Sequence, residues 1–463
     1  MNNGMSIRQK VFKKFGAMPL LALSFLFVIL AGTILLSLPF TNHGTPQSIL
    51  DNLFVATSAT CVTGLVPFVV VEQYNFLGQI VLMILMQIGG LGLMTLLASI
   101  LSIMKYKLFF AEKKMIQDSL SKGDLQDIPK FIRSIIKYTI FFEGIGFLLI
   151  AMRFVPLYGF GDGIFKSLFL AISAFCNAGI DNLGSVSLAA FATDPLINFT
   201  VMGLIVTGGL GFVVWFELRR SLPALFKKKI NIKKIFNALT VHTRFVLMVT
   251  LVLILSGATF FFLLEYGNSR TIGNFTFLEK GMVSLFQSVT YRTAGFSTIN
   301  FGAINPSTKF ISLIYMMIGG SPGGTAGGIK TTTFVMLFIF ALSVLKESDK
   351  INVFRREISR YTFMRAYAVF LTMLTVVIAA IFILTLTETV PFLDLAFEAV
   401  SAIATVGLST GITSMLSNVG KTVIIVLMFI GRVGPITILL SVLKKGKQKN
   451  SEVSYPHGEI LIG

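Results

Sequence analysis

Charge is scarce in this chain: charged residues make up 13% of its 463 residues, against roughly 25% in an ordinary soluble domain. Hydrophobic residues make up 54%, and mean hydropathy is +0.82. So much apolar surface cannot be hidden inside a soluble globule, so disorder and a cytosolic multidomain enzyme are excluded. Two cysteines cannot build a disulfide framework, and three histidines argue against a transition-metal cage. There is no His/Cys/Asp/Glu constellation, no GxxxxGK[ST] and no nucleophile elbow. The sequence therefore reads as an all-α polytopic membrane protein that is not an enzyme, has no organic cofactor and draws energy or regulation from ion gradients or a partner.

Its positive charge is localised. Apolar runs of spanning length, about 20 residues, begin near residues 18, 74, 135, 196, 243, 308, 364 and 418. This predicts eight transmembrane helices. Segments 1–16, 105–137, 219–244, 346–365 and 444–463 hold 30 of the 39 Lys and Arg. The opposite loops carry acids such as Asp51, Asp162, Asp181, Asp194, Glu279 and Asp394. The asymmetry puts both termini in the cytoplasm and explains the net charge of +18 without nucleic acid. The run Lys227-Lys228-Lys229 with Lys233-Lys234 also suits an acidic partner or anionic membrane lipid. The first apolar run, Met18 to Phe40, is too long for a signal peptide and is expected to be a membrane helix, leaving Cys61 and Cys176 reduced and buried.

A fourfold repeat follows. CVTGL (61–65), CNAGI (176–180), RTAGF (292–296) and ATVGL (404–408) place Gly64, Gly179, Gly295 and Gly407 at intervals of 115, 116 and 112 residues. Between 24 and 29 residues after each comes a second glycine cluster, at 87–92, 207–212, 319–328 and 431–435. Each unit reads as spanning helix, short re-entrant helix, glycine-bearing segment, spanning helix, with the short helices beginning near Gln47, Gly163, Leu278 and Leu393. The division is 1–16 N-terminus, 17–105 first repeat, 106–132 loop, 133–218 second repeat, 219–242 basic loop, 243–345 third repeat, 346–363 loop, 364–443 fourth repeat and 444–463 tail. Irregular backbone at membrane depth must face a protein-lined, watery axis rather than lipid. Four such loops predict a single pseudo-fourfold cation pore.

The four segments are Cys61-Val62-Thr63-Gly64, Cys176-Asn177-Ala178-Gly179, Arg292-Thr293-Ala294-Gly295 and Ala404-Thr405-Val406-Gly407. They contain no carboxylate ring of the kind a divalent-cation filter uses. What they offer is backbone: glycine tolerates positive φ, and rings of carbonyls replace the hydration shell of potassium. The short helices should aim their negative C-terminal ends at the cation.

TSATCVTGLVP (57–67), SAFCNAGIDNLG (173–184), TYRTAGFSTIN (290–300) and SAIATVGLSTGIT (401–413) resemble the four filter regions of the Trk/Ktr/HKT potassium-transport superfamily. The likeness runs the whole chain and is nearest to the KtrB membrane subunits of bacterial Ktr uptake systems. It implies a homodimer in the cell membrane with one pore per protomer. It also implies a cytoplasmic octameric RCK ring of the KtrA or KtrC kind, which binds ATP, ADP or NAD-type nucleotides, and, as in several members, sodium stimulation or symport. Sodium-selective plant relatives carry serine at the first filter glycine, so Gly64 points to potassium.

The third unit differs from the others. Gly319-Gly320-Ser321-Pro322-Gly323-Gly324-Thr325-Ala326-Gly327-Gly328 cannot continue a helix. The stretch 319–330 is either a packing kink or, as the resemblance implies, an intramembrane gate anchored by Lys330. Arg432 is read either as a charge in the pore below the filter or as the partner of a carboxylate. Arg292 is expected to turn from the pore towards a carboxylate, with Glu398 as first candidate; Glu143 and Glu217 also lie near membrane depth as structural partners whose counterparts the sequence leaves open. An organic-solute transporter would show inverted repeats and helices broken in paired halves. The sequence instead suggests parallel repeats with only one broken inner helix.

Overall fold

The computed structural model describes residues 17–92, 128–185, 187–221, 236–346, 351–354 and 356–434, excepting the side chains at 17, 18, 21 and 128–131. The expected terminal segments 1–16 and 444–463, most of the 106–132 loop, the centre of the basic loop and the end of the fourth repeat lie outside the described residues.

The first unit comprises α1 (Ala17–Leu36), α2 (Ile49–Cys61) and α3 (Phe76–Leu91). The second holds α4 (Ile128–Tyr158), α5 (Phe160–Cys176), α6 (Pro195–Gly209) and α7 (Phe212–Ser221). The third holds α8 (Val241–Glu265), α9 (Phe277–Thr290), α10 (Pro306–Met317) and α11 (Thr331–Leu345). After a two-residue hairpin of β1 (Asn352–Val353) and β2 (Arg356–Glu357), paired antiparallel, come α12 (Arg360–Thr387), α13 (Phe392–Ile403) and α14 (Asn418–Val433). Helix starts are chemically marked: Ser48, Asn75, Asp194, Thr240 and Ser417 each accept a bond from a first-turn amide. Thr276 and Glu279 form a capping box on α9.

Among the described residues, α4, α8 and α12 are each long and apolar enough to cross a membrane. A fourth span counts if α6 and α7, bent by 97°, are taken as one. The long helices turn large apolar side chains outward: Phe141 is 58% exposed, Leu263 66% and Phe382 64%. Such faces suit lipid rather than water.

The short helices form the centre. Phe54, Phe169, Phe286 and Phe397, one on each of α2, α5, α9 and α13, are all fully buried. Both cysteines are buried and free. α5, at 17 residues, is longer than a re-entrant helix was expected to be, because Gly159 joins it to α4 with no intervening loop.

The expectation of a single broken inner helix is corrected. α3 gives way at Gly92 (φ 78), α6 and α7 separate around Gly211 (φ 92), and α14 ends at Gly434 (φ 95). Each glycine has a positive φ, which other residues rarely adopt and which cannot continue an α-helix. What distinguishes the third unit is the long loop after α10.

Candidate functional site

The four glycine segments follow the C-terminal ends of α2, α5, α9 and α13 and share one backbone pattern. Left-handed φ occurs two residues before each glycine, at Val62 (58°), Asn177 (58°), Thr293 (66°) and Thr405 (53°). It recurs at Gly64 (103°), Gly179 (66°), Gly295 (79°) and Gly407 (92°). Three of the preceding positions hold residues other than Gly or Asn, so the surroundings must hold the strained conformation in place. That holding is visible. The amides of Thr63, Ala178, Ala294 and Val406 bond back to the carbonyls of Ser58, Ser173, Thr290 and Ser401 at 2.8–3.0 Å. The hydroxyls of the same four residues bind further along each segment. Ser58 and Ser401 accept from the amides of Gly64 (3.0 Å) and Gly407 (3.1 Å). Ser173 and Thr290 donate to the carbonyls of Ile180 (2.6 Å) and Phe296 (2.7 Å).

The four segments touch in a closed order. A Cβ on Gly64 would lie 2.8 Å from the Ala178 carbonyl oxygen, one on Gly179 2.7 Å from that of Ala294, and one on Gly295 2.6 Å from that of Val406. A Cβ on Gly407 would strike the Thr63 carbonyl, which returns the ring to its first member. Ion pairs repeat part of this order further out. Lys309 on α10 meets Asp394 on α13 at 2.7 Å, and Lys421 on α14 meets Asp51 on α2 at 2.6 Å. Beyond the second segment, burial raises the Asp181 carboxyl above its ordinary value, opposed by bonds from the Ser187 hydroxyl (2.6 Å) and the Leu183 amide (3.0 Å).

The inner helices close in from the other side. Gly89, Gly208 and Gly431 lie against the carbonyls of Thr60, Phe175 and Ile403, too close for any Cβ. Each of those carbonyls stands four residues before its segment's glycine. The 319–330 loop sits in the same layer. The Ser321 and Thr325 amides donate to the carbonyls of Gly209 (2.9 Å) and Gly208 (3.2 Å), while the Phe212 amide donates to Gly323 (2.9 Å). The loop is thus joined to the break between α6 and α7. Its own ends are tied by Gly319 N to Ile329 O at 2.9 Å and Thr331 N to Gly320 O at 3.0 Å. Gly327 lies against the Thr405 hydroxyl and Gly328 against the Ala404 carbonyl.

The two basic residues beside the loop, Arg432 and Lys330, are bound to backbone. Arg432 donates to the carbonyls of Thr325 (2.5 Å), Gly90 (3.3 Å) and Gly89. It therefore fastens the loop to the end of α3, and no carboxylate pairs with it among the described residues. Lys330 donates to Ala326 O at 2.6 Å, within the loop. The expected Arg292–Glu398 pair is not formed. Glu398 receives the Thr413 hydroxyl, and its other oxygen is buried without a partner, as are Nε and Nη2 of Arg292. A hydroxyl from the segment after the fourth glycine, near in the chain but not identifiable by charge, meets the carboxylate instead. Glu143 receives the Gln87 amide at 3.4 Å, and Glu217 caps α8 through the Thr240 amide (2.6 Å) and hydroxyl (2.7 Å). The sequence reading missed Ser58, Ser173, Thr290 and Ser401. Their signal was a hydroxyl five or six residues before every glycine.

Residues 4–454 match the family model for cation transport proteins, TrkH. The chain is 38% identical to the Ktr system potassium uptake protein B of Bacillus subtilis, over 98% of this chain and 99% of that protein. It is 36% identical to the potassium/sodium uptake protein NtpJ of Enterococcus hirae, over 99% of each. Among solved structures, the potassium transporter TrkH of Vibrio parahaemolyticus superposes with a TM-score of 0.71 at 19% identity, covering 96% of this chain and 86% of that one.

Proposed function

The chain belongs to the TrkH family of cation transport proteins, and from that premise we propose that it is the potassium-translocating membrane subunit of a Ktr-type uptake system. Four helix–loop–helix units, with eight membrane crossings in all, surround one pore in a bacterial cell membrane, and both termini are cytoplasmic. Residues 61–64, 176–179, 292–295 and 404–407 form its selectivity filter. The observation that carries this reading is the closed order in which Gly64, Gly179, Gly295 and Gly407 meet the carbonyl of the next segment. Four backbones in mutual contact, with neutral side chains at every filter position but Arg292, present stacked carbonyl rings to a dehydrated monovalent cation. The negative ends of α2, α5, α9 and α13 add to the attraction.

Below the filter, residues 319–330 obstruct the path and act as the gate. Arg432 and Lys330 hold the gate in place and add positive charge to the barrier. The working unit is a homodimer with one pore per protomer, governed by a cytoplasmic nucleotide-binding RCK ring of the KtrA or KtrC kind and stimulated by sodium. The support for a partner is the similarity to system-B uptake proteins.

The test is growth of a potassium-uptake-deficient bacterium at low potassium, with the chain expressed alone and with an RCK partner. Rescue that is strengthened by the partner is expected. A folded, membrane-inserted chain that carries neither potassium nor rubidium under either condition would overturn the reading.

A further inference from the structure

We propose that Thr325, a residue of the interrupting loop, sets the ion preference of the filter by positioning the filter's second segment. This rests on the filter and loop assignments above.

Every polar atom of Thr325 is engaged, and the residue is fully buried. Its amide donates to Gly208 O (3.2 Å), and its carbonyl accepts from Arg432 Nη1 (2.5 Å). Backbone bonds to two different inner helices therefore fix where the side chain stands. Its hydroxyl donates to Phe175 O in the last turn of α5 (3.0 Å) and accepts from Asn177 Nδ2 (2.8 Å).

Asn177 is the residue with left-handed backbone two positions before Gly179. Its Oδ1 is buried without a partner, so the bond to Thr325 is the one that orients this side chain. The Phe175 carbonyl also receives the close approach of Gly208. One hydroxyl thus holds the helix end and the first bend of the segment together. The other three segments have no counterpart to Asn177: Val62 is apolar, and the hydroxyls of Thr293 and Thr405 are buried without partners. The second segment alone is fastened to the loop by a side-chain bond, so a displacement of the loop reaches the filter at Asn177.

Thr325→Val keeps the shape and removes only the hydroxyl, leaving Phe175 O and Asn177 Nδ2 unpaired. The assay is rubidium uptake into proteoliposomes, competed by potassium and by sodium. Loss of these two buried hydrogen bonds should change the ratio of the two inhibition constants at least about fivefold against potassium. Thr325→Ser, which keeps the hydroxyl, should restore the wild-type ratio. A purely structural role would lower yield or total flux and leave the ratio alone. If the valine variant does not give a monodisperse protein, Thr325→Ala carries the same test. An unchanged ratio in Thr325→Val, alongside a changed ratio in Gly64→Ser, overturns the proposal and leaves the filter standing. An unchanged ratio in both removes the filter assignment and the proposal with it.

Discussion

Replacing Gly64 by serine tests the filter ring. The new Cβ would lie 2.8 Å from the Ala178 carbonyl oxygen, 3.0 Å from Gly179 Cα and 3.2 Å from Gly407 Cα. Ordinary contacts at such a site begin near 3.5 Å, so the neighbours must yield by roughly half an ångström. All three atoms are backbone, two of them belonging to Gly179 and Gly407, so no side-chain rotation relieves the contact. Residue 64 also has φ +103°, outside the ordinary left-handed well, which costs a non-glycine residue roughly 1–3 kcal/mol. A ring displaced by half an ångström loses the positional accuracy that a binding site requires. If about 1–2 kcal/mol of discrimination disappears, the preference for potassium over sodium falls about five- to thirtyfold. The assay is rubidium uptake into proteoliposomes, with sodium and potassium as competitors. Gly184→Ser supplies the control: its φ is +128° but nothing lies within 4 Å of the new Cβ. It carries the backbone cost without the collision, and its ion preference should match wild type. Gly407→Ala, whose Cβ would meet the Thr63 carbonyl more closely still, should be the more damaging change. A folded Gly64→Ser variant with wild-type competition curves would refute the ring.

Deleting Ser321 to Gly327 should raise potassium flux, because the deletion removes the loop bonded to Gly208 and Gly209, which is the proposed gate; a folded variant with unchanged flux would reduce the loop to a packing element. Arg432→Gln and Arg432→Lys separate charge from geometry. If the fork that grips Thr325 and Gly90 is what closes the path, both substitutions raise flux normalised to folded protein, since lysine cannot reproduce it. If the charge itself is the barrier, only glutamine does. Arg292→Gln and Glu398→Gln should destabilise additively, with a coupling energy below about 0.5 kcal/mol, because the two side chains make no pair. A larger coupling in thermal unfolding of the double variant would restore the pair expected from sequence.

The sequence by itself determined the membrane character, because charge confined to alternate loops and apolar runs of spanning length are properties of composition along the chain. It also determined where the irregular backbone lies. Four glycines at nearly constant spacing, each preceded by a short amphipathic run, mark positions where this chain uses the residue that tolerates positive φ. It further located the loop after α10, since ten residues with six glycines and a proline cannot be helical. Tertiary structure alone decided what those positions touch. The closed order from Gly64 to Gly407 depends on packing between units more than a hundred residues apart. The partners of buried charge were likewise not readable. Opposite charges suggested Arg292 with Glu398, but a carboxylate can be met by a hydroxyl and a guanidinium by carbonyls, and neither leaves a charge signature. Arg432 took backbone oxygens from two units, and Glu398 took Thr413. The helix ends at Gly92 and Gly434 and the break around Gly211 were underestimated because glycines clustered in an apolar run can also sit inside a helix, as Gly89 and Gly90 do in α3. At Gly211 the positive φ and the Pro322 carbonyl, 2.7 Å from where a Cβ would lie, belong to the folded chain and leave no mark in the residue pattern.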